Sequence, residues 1–164
     1  MEGLALPWIV ALGAGSTALV DLWAWLLGRV FGIATLDWAL VGRWIGHLRH
    51  GRLRHRRITD ASPVRAEALL GWGFHYLTGM VLAAVFLWIV GPGWRLSPTL
   101  PASLGFGIAT VLLPFLILQP ALGAGIASRR TPRPGAARLR SLLTHSVFGL
   151  GLYLSAWLMA RLSG

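Results

Sequence analysis

The chain has no cysteine and no lysine, and only five of its 164 residues are acidic. Without cysteine there are no disulfides, no thiolate-held zinc, no iron–sulfur cluster and no thiol nucleophile, and the redox compartment leaves no mark. Charge is scarce altogether: Asp, Glu and Arg make up 12% of the residues, against about 25% charged residues in an average soluble domain. What is present in excess is apolar, with 55% hydrophobic residues and nine Trp. A core of this size cannot hide so many apolar side chains, so the surplus is expected to face lipid.

Crossing a hydrocarbon layer of about 30 Å takes about 20 residues at helical rise. Four stretches meet that length, at about residues 7–31, 65–90, 99–127 and 137–162. The expected fold is therefore all-α, an integral membrane four-helix bundle forming a single domain over residues 1–164. Pro7 opens the first span, where its missing N–H costs nothing, and Gly91-Pro92-Gly93 closes the second. Pro114 and Pro120 lie within the third span; each removes a backbone hydrogen bond, so a bend or break is expected there.

All fifteen basic residues are Arg, and thirteen of them lie at or between spans one and two or spans three and four. Only Arg95 and Arg161 belong to the other side. The positive-inside rule then places both basic connections in the cytoplasm and both termini outside, in the periplasm of a bacterial inner membrane. A secretory signal would need a basic start and a shorter apolar run, so span one is expected to be retained. The net charge of +10 is explained as topology, and nucleic-acid binding has no motif to support it.

The first basic connection is patterned. Over about residues 36–50, Leu36, Leu40, Val41, Trp44, Ile45 and Leu48 share one helical arc, with Arg43, His47, Arg49 and His50 on the other beside Gly42 and Gly46. This predicts an amphipathic interfacial helix. The run that follows, with Arg49, Arg52, Arg54, Arg56 and Arg57, is expected to meet anionic lipid headgroups, each charge contributing about 1 kcal/mol near the surface. Its three histidines, His47, His50 and His55, read as solvated polar residues, with metal binding or pH sensing as alternatives.

Within the spans four polar residues stand out: Asp21, His75, Gln119 and His145, one from each helix. Counted from the bounding arginines they lie roughly 8 to 15 Å inside the cytoplasmic boundary, and so could form one intramembrane polar layer. Three readings compete for it. It is a hydrogen-bonded network that sets helix register, a proton or cation relay with Asp21 as carrier, or a pair of axial ligands, His75 and His145, for haem or a related tetrapyrrole. No metal and no cofactor is expected under the first.

Small residues at four-residue spacing, Ala11 and Gly15, Gly79 and Ala83, Gly105 and Ala109, would let helices approach closely. A weak duplication is also visible: Gly13-Ala14-Gly15 echoes Gly105-Phe106-Gly107, and His75 with Gly79 echoes His145 with Gly149.

Asp21-Leu22-Trp23-Ala24, Leu40-Val41-Gly42-Arg43-Trp44, Gly71-Trp72 with His75-Tyr76, Gly91-Pro92-Gly93-Trp94, Gln119-Pro120-Ala121-Leu122-Gly123, Ser128-Arg129 with Thr131-Pro132, and Arg138-Leu139-Arg140-Ser141 through His145 together carry a resemblance. Along nearly its whole length the chain resembles a family of small bacterial inner-membrane proteins known as domain of unknown function 2938. The resemblance implies four spans and a bacterial cytoplasmic membrane; it brings no activity and no catalytic residues.

There is no Ser-His-Asp arrangement, no phosphate-cradling Gly loop and no HExxH, so the chain is not expected to be an enzyme. The expected role is that of an accessory or assembly subunit of a larger membrane complex. Its partners would be the bilayer with its anionic headgroups, other membrane subunits or a second copy of itself. A small proton- or cation-coupled carrier built on the Asp/His layer is the first alternative, and haem or tetrapyrrole binding the second.

Overall fold

Helices form wherever an apolar run is long enough, and the computed structural model, which describes residues 5–162, contains no strand among them. In chain order these are α1 (Ala5–Phe31), α2 (Trp38–Leu48), α3 (Glu67–Val90), α4 (Leu100–Ala109), a π-helical turn at Pro114–Leu118, α5 (Gln119–Leu122) and α6 (Pro134–Leu162), with short 3₁₀ turns in the connections. Four segments are long and apolar enough to cross a membrane: Leu6–Phe31, Glu67–Val90, Leu100–Leu122 and Pro134–Leu162. The expected four-helix architecture is thus present.

Three boundaries differ from those expected, each for a local reason. The third span ends at Leu122 instead of residue 127, because Gly123 takes the left-handed conformation (φ +101°) that closes a helix. The fourth starts earlier, at Pro134, where proline suits a first helical turn. The interfacial helix is shorter than 36–50: Asp37 caps it by accepting from the Ala39 N–H at 2.9 Å, which leaves Leu36 outside. The expected break in span three is a π turn, in which Pro114 cannot donate and the ladder is widened by one residue.

Tryptophans punctuate the apolar helices near their ends. On α3, Trp72 and Trp88 are both exposed and lie sixteen residues apart, about 24 Å at helical rise. That separation suits aromatic residues at two membrane–water interfaces. Arg161 stands 4.8 Å over the Trp157 ring, and Arg95 lies 5.8 Å from the Trp8 ring, as cations do on an electron-rich face.

The chain divides into two compact units. Among the described residues the first holds those up to Thr35, Tyr76–Ala109 and those from Leu143 on, and is itself a bundle of four helical pieces. Its core is Trp8, Leu12, Val20, Ala83, Phe86, Trp94, Phe148, Leu152 and Ala156. Helices approach closely there through small residues. A Cβ on Gly107 would lie 2.6 Å from Gly149 Cα, one on Gly149 2.6 Å from the Ser103 carbonyl oxygen, and one on Gly151 2.6 Å from Ser16 Cα.

Gly105, which the four-residue spacing had placed in contact with a neighbour, faces open space. The duplication is correspondingly out of register by two residues. Gly79 packs on Gly13 and Thr17, whereas Gly149 packs on Ser103 and Gly107, so Gly13 corresponds in position to Ser103 and not to Gly105.

The second unit holds Leu36–His75 and Thr110–Leu142: α2, the two basic connections, the starts of α3 and α6, and the broken end of span three. α2 docks on the start of α3 through glycine. A Cβ on Gly42 would overlap the Glu67 carbonyl, and one on Gly71 would overlap the Trp38 carbonyl. The buried residues of α2 are Val41, Gly42, Gly46 and His47. The arc expected to be polar and outward is therefore largely the packed one, because Gly42 and Gly46 leave room for a neighbouring backbone that leucines would exclude.

Candidate functional site

The four polar residues of the spans divide between the units, Asp21 and His145 in the first, His75 and Gln119 in the second. In the first unit the Tyr76 hydroxyl donates to Asp21 Oδ2 at 2.9 Å, joining α3 to α1. A phenol is a suitable partner for a carboxyl at this depth, since it donates without adding a charge. One turn away on α1, Thr17 returns its hydroxyl to the Gly13 carbonyl at 2.7 Å and Ser16 does the same to Leu12, so neither leaves a buried hydroxyl unsatisfied. His145 is half-buried on α6, and its carbonyl closes the contact around Gly107.

In the second unit His75 is buried against indoles. Its ring stacks on Trp38 with centroids 3.8 Å apart and 21° between planes, and Trp72 meets it edge-on at 5.9 Å. Gln119 Nε2 donates to Ser141 Oγ at 3.2 Å, tying α5 to α6, while Gln119 Oε1 is buried with no hydrogen-bond partner among the described residues. None of these three contacts joins two of the four residues. The partners in these contacts are Tyr76, Trp38 and Ser141, which the charge pattern gave no reason to pick.

The best-organised polar cluster lies at the α2–α3 junction. Arg43 grips Glu67 with two bonds, Nε to Oε2 at 2.9 Å and Nη2 to Oε1 at 2.8 Å, and its Nη1 donates to the Ala61 carbonyl at 3.2 Å. Glu67 Oε2 also accepts the Val64 N–H at 3.0 Å, which satisfies a donor just before the helix start. The hydrogen bonds that Arg43 donates to Glu67, together with the charge of that carboxylate, raise the Arg43 guanidinium pKa above its ordinary value. Planar, bidentate and partly sheltered, this pair orients α2 on α3.

Beside it the histidines depart from expectation. His50 is exposed, but His47 is buried and His55 half-buried, and the two rings meet with Nδ1 of His47 2.8 Å from Nε2 of His55. His47 Nε2 lies 3.0 Å from the Ser62 carbonyl oxygen. Burial, and the neighbouring His47, lower the His55 pKa below the usual imidazole value. The reading of these rings as solvated fails because Gly46 lets Val64 and the returning chain close over them. The signal available beforehand was the Gly42-x-x-x-Gly46 spacing on their side of the helix.

Arg49, Arg52, Arg54, Arg56 and Arg57 are all exposed. The segment that carries them is nevertheless pinned. Trp44 Nε1 donates to the Leu53 carbonyl at 3.0 Å, the His55 main-chain N–H donates to the Ala121 carbonyl at 2.9 Å, and the Arg56 carbonyl packs on Gly123. Among the described residues no group of three His, Asp or Glu is placed to hold a metal ion.

No curated protein and no solved structure matches the chain. The family described as "Protein of unknown function (DUF2938)" matches it over residues 10–159, nearly its whole length, and the chain belongs to that family.

Proposed function

We propose that this member of the DUF2938 family is a non-enzymatic accessory or assembly subunit of a larger bacterial inner-membrane complex. Its basic connections lie on the cytoplasmic side and both termini are periplasmic. The observation that carries the reading is the contrast between interior and surface. The polar groups at membrane depth have helix-joining contacts, Asp21 with Tyr76, Gln119 with Ser141 and His75 with Trp38. Of the most apolar window of each span, only 22% to 28% is buried. The rest is a surface for lipid or for another subunit's helices. The exposed arginines of residues 49–57 would meet phospholipid headgroups, at about 1 kcal/mol each.

Gentle solubilisation followed by native mass spectrometry is expected to return one discrete heteromeric mass; recovery only as the isolated monomer overturns the proposal. Orientation is tested on the same chain, whose lack of cysteine makes single replacements clean reporters. Ser97→Cys should react with a membrane-impermeant maleimide in intact cells, and Arg54→Cys only after permeabilisation. The reverse pattern would invert the topology.

A second reading, a small proton- or cation-coupled carrier, is favoured by one observation. The broken end of span three holds a buried amide carbonyl oxygen, Gln119 Oε1, without a hydrogen-bond partner among the described residues, the kind of group that can line an ion path. On this reading Asp21→Asn abolishes flux into proteoliposomes; flux equal to that of the native chain removes Asp21 as carrier.

A further inference from the structure

The contacts of His47 and His55 determine where every proton of the pair must sit. The Ser62 carbonyl can only accept, so His47 Nε2 carries a hydrogen and donates to it. In a neutral ring His47 Nδ1 is then a lone pair, and the 2.8 Å contact requires His55 Nε2 to donate. His55 Nδ1 is left as a lone pair, buried and without a hydrogen-bond partner among the described residues. The neutral pair therefore fits its surroundings with one tautomer for each ring.

Adding protons spoils that fit in two steps. With one more proton the bridge survives only if the extra hydrogen goes to His55 Nδ1, where it becomes a buried donor with nothing to donate to. With two, both bridging nitrogens carry hydrogens and face each other at 2.8 Å, and the contact must open. The charges around the pair do not offset this. Arg52 faces His55 and opposes protonation, and the carboxylate that faces His47, Glu67, is already held by Arg43 with two bonds. The stretch that receives the His55 N–H, residues 119–125, carries no ionisable side chain.

We propose that the His47–His55 pair is an acid-sensitive latch that holds the arginine-rich segment 49–57 against the protein above neutral pH and releases it on acidification. What the latch controls is a string of exposed positive charge that begins at Arg49, just past the end of α2, and is pinned at Leu53, His55 and Arg56. Breaking the imidazole bridge removes the side-chain anchor at the centre of those three. The direction follows from linkage. A histidine held neutral in the folded state contributes stability that is full above the unfolded value of about 6.5 and is lost as pH falls through the lower folded value. The inference is independent of the partner complex and of the orientation in the membrane.

The test uses the full chain in liposomes with Arg54→Cys as its single cysteine, carrying a nitroxide spin label. Between about pH 8 and about pH 5, a range that brackets the ordinary imidazole value, a restricted spectrum should give way reversibly to a mobile component. His55→Gln keeps an amide donor toward His47 but cannot titrate, so the acid-induced mobile component should vanish; His50→Gln, an exposed control, should leave it intact. A spectrum unchanged with pH in the parent, or a transition that persists in His55→Gln, overturns the latch. Should His55→Gln lack the restricted spectrum at high pH, nitrogen NMR of ¹⁵N-histidine in the unsubstituted chain decides. Hydrogen on Nε2 of both His47 and His55 at neutral pH supports the assignment, and hydrogen on Nδ1 of either overturns it.

Discussion

Gly42→Ala is expected to lift α2 off α3 and to lower stability by about 3 kcal/mol, the upper end for overpacking a close contact. The added methyl would meet the main-chain carbonyl of Glu67 and, at 2.7 Å, the Gly71 N–H, and neither can rotate away as a side chain could. Gly71→Ala should do the same from the other helix, against the Trp38 carbonyl. The higher helix propensity of alanine returns about 1 kcal/mol at most, too little to reverse the sign. Once the helices part, Arg43 loses Glu67 and Trp38 loses the His75 ring.

Arg43→Ala is the natural comparison. Its side chain and that of Glu67 are 13% and 20% exposed, so solvent screens part of their attraction and the expected loss is about 1 kcal/mol. Thermal unfolding of the three variants in one detergent ranks them. If Gly42→Ala were no worse than Arg43→Ala, the helices could not be touching through their backbones.

Two glycines two residues apart on α4 should respond with opposite sign. Gly107→Ala puts a methyl 2.6 Å from Gly149 Cα and 2.6 Å from the His145 carbonyl oxygen, and should cost about 2 to 3 kcal/mol. Gly149→Ala, whose methyl would meet the Ser103 carbonyl at 2.6 Å, should behave alike. Gly105→Ala meets nothing and should be neutral or stabilising by up to about 1 kcal/mol, because alanine is the better helix former. Equal losses at 105 and 107 would contradict the α4–α6 crossing. The pair also separates the spacing rule from the packing: Gly105 with Ala109 satisfies the rule, whereas Ser103 with Gly107 makes the contact.

How far the site could be read beforehand differs from residue to residue. Asp21 and Gln119 were identifiable because an ionisable or amide group inside an apolar run is costly and must find a partner. Tyr76 and Ser141, the partners they found, were not, since a tyrosine or serine in a helix has many ways to be satisfied. Arg43 and Glu67 lie 24 residues apart and the intervening chain carries no regular pattern, so nothing along the sequence joined them. His47 was assigned to the wet side of an amphipathic helix for a physical reason that also explains the error. Hydrophobic periodicity weighs side chains, and a glycine has none to weigh, yet a glycine is what allows another backbone to come within contact.

The order of apolar runs, their lengths and the placement of arginines determined by themselves that there are four helices able to span a bilayer, where they break at proline, and that a short helix lies in the first basic connection. These properties depend on each residue's own free energy of transfer and on local hydrogen bonding, which are additive along a chain. Which face of that short helix turns inward, which glycines are touched, and which imidazole meets which were decided only when the helices packed. Such contacts depend on two distant segments fitting together to within a methyl group, and neither segment alone carries that information.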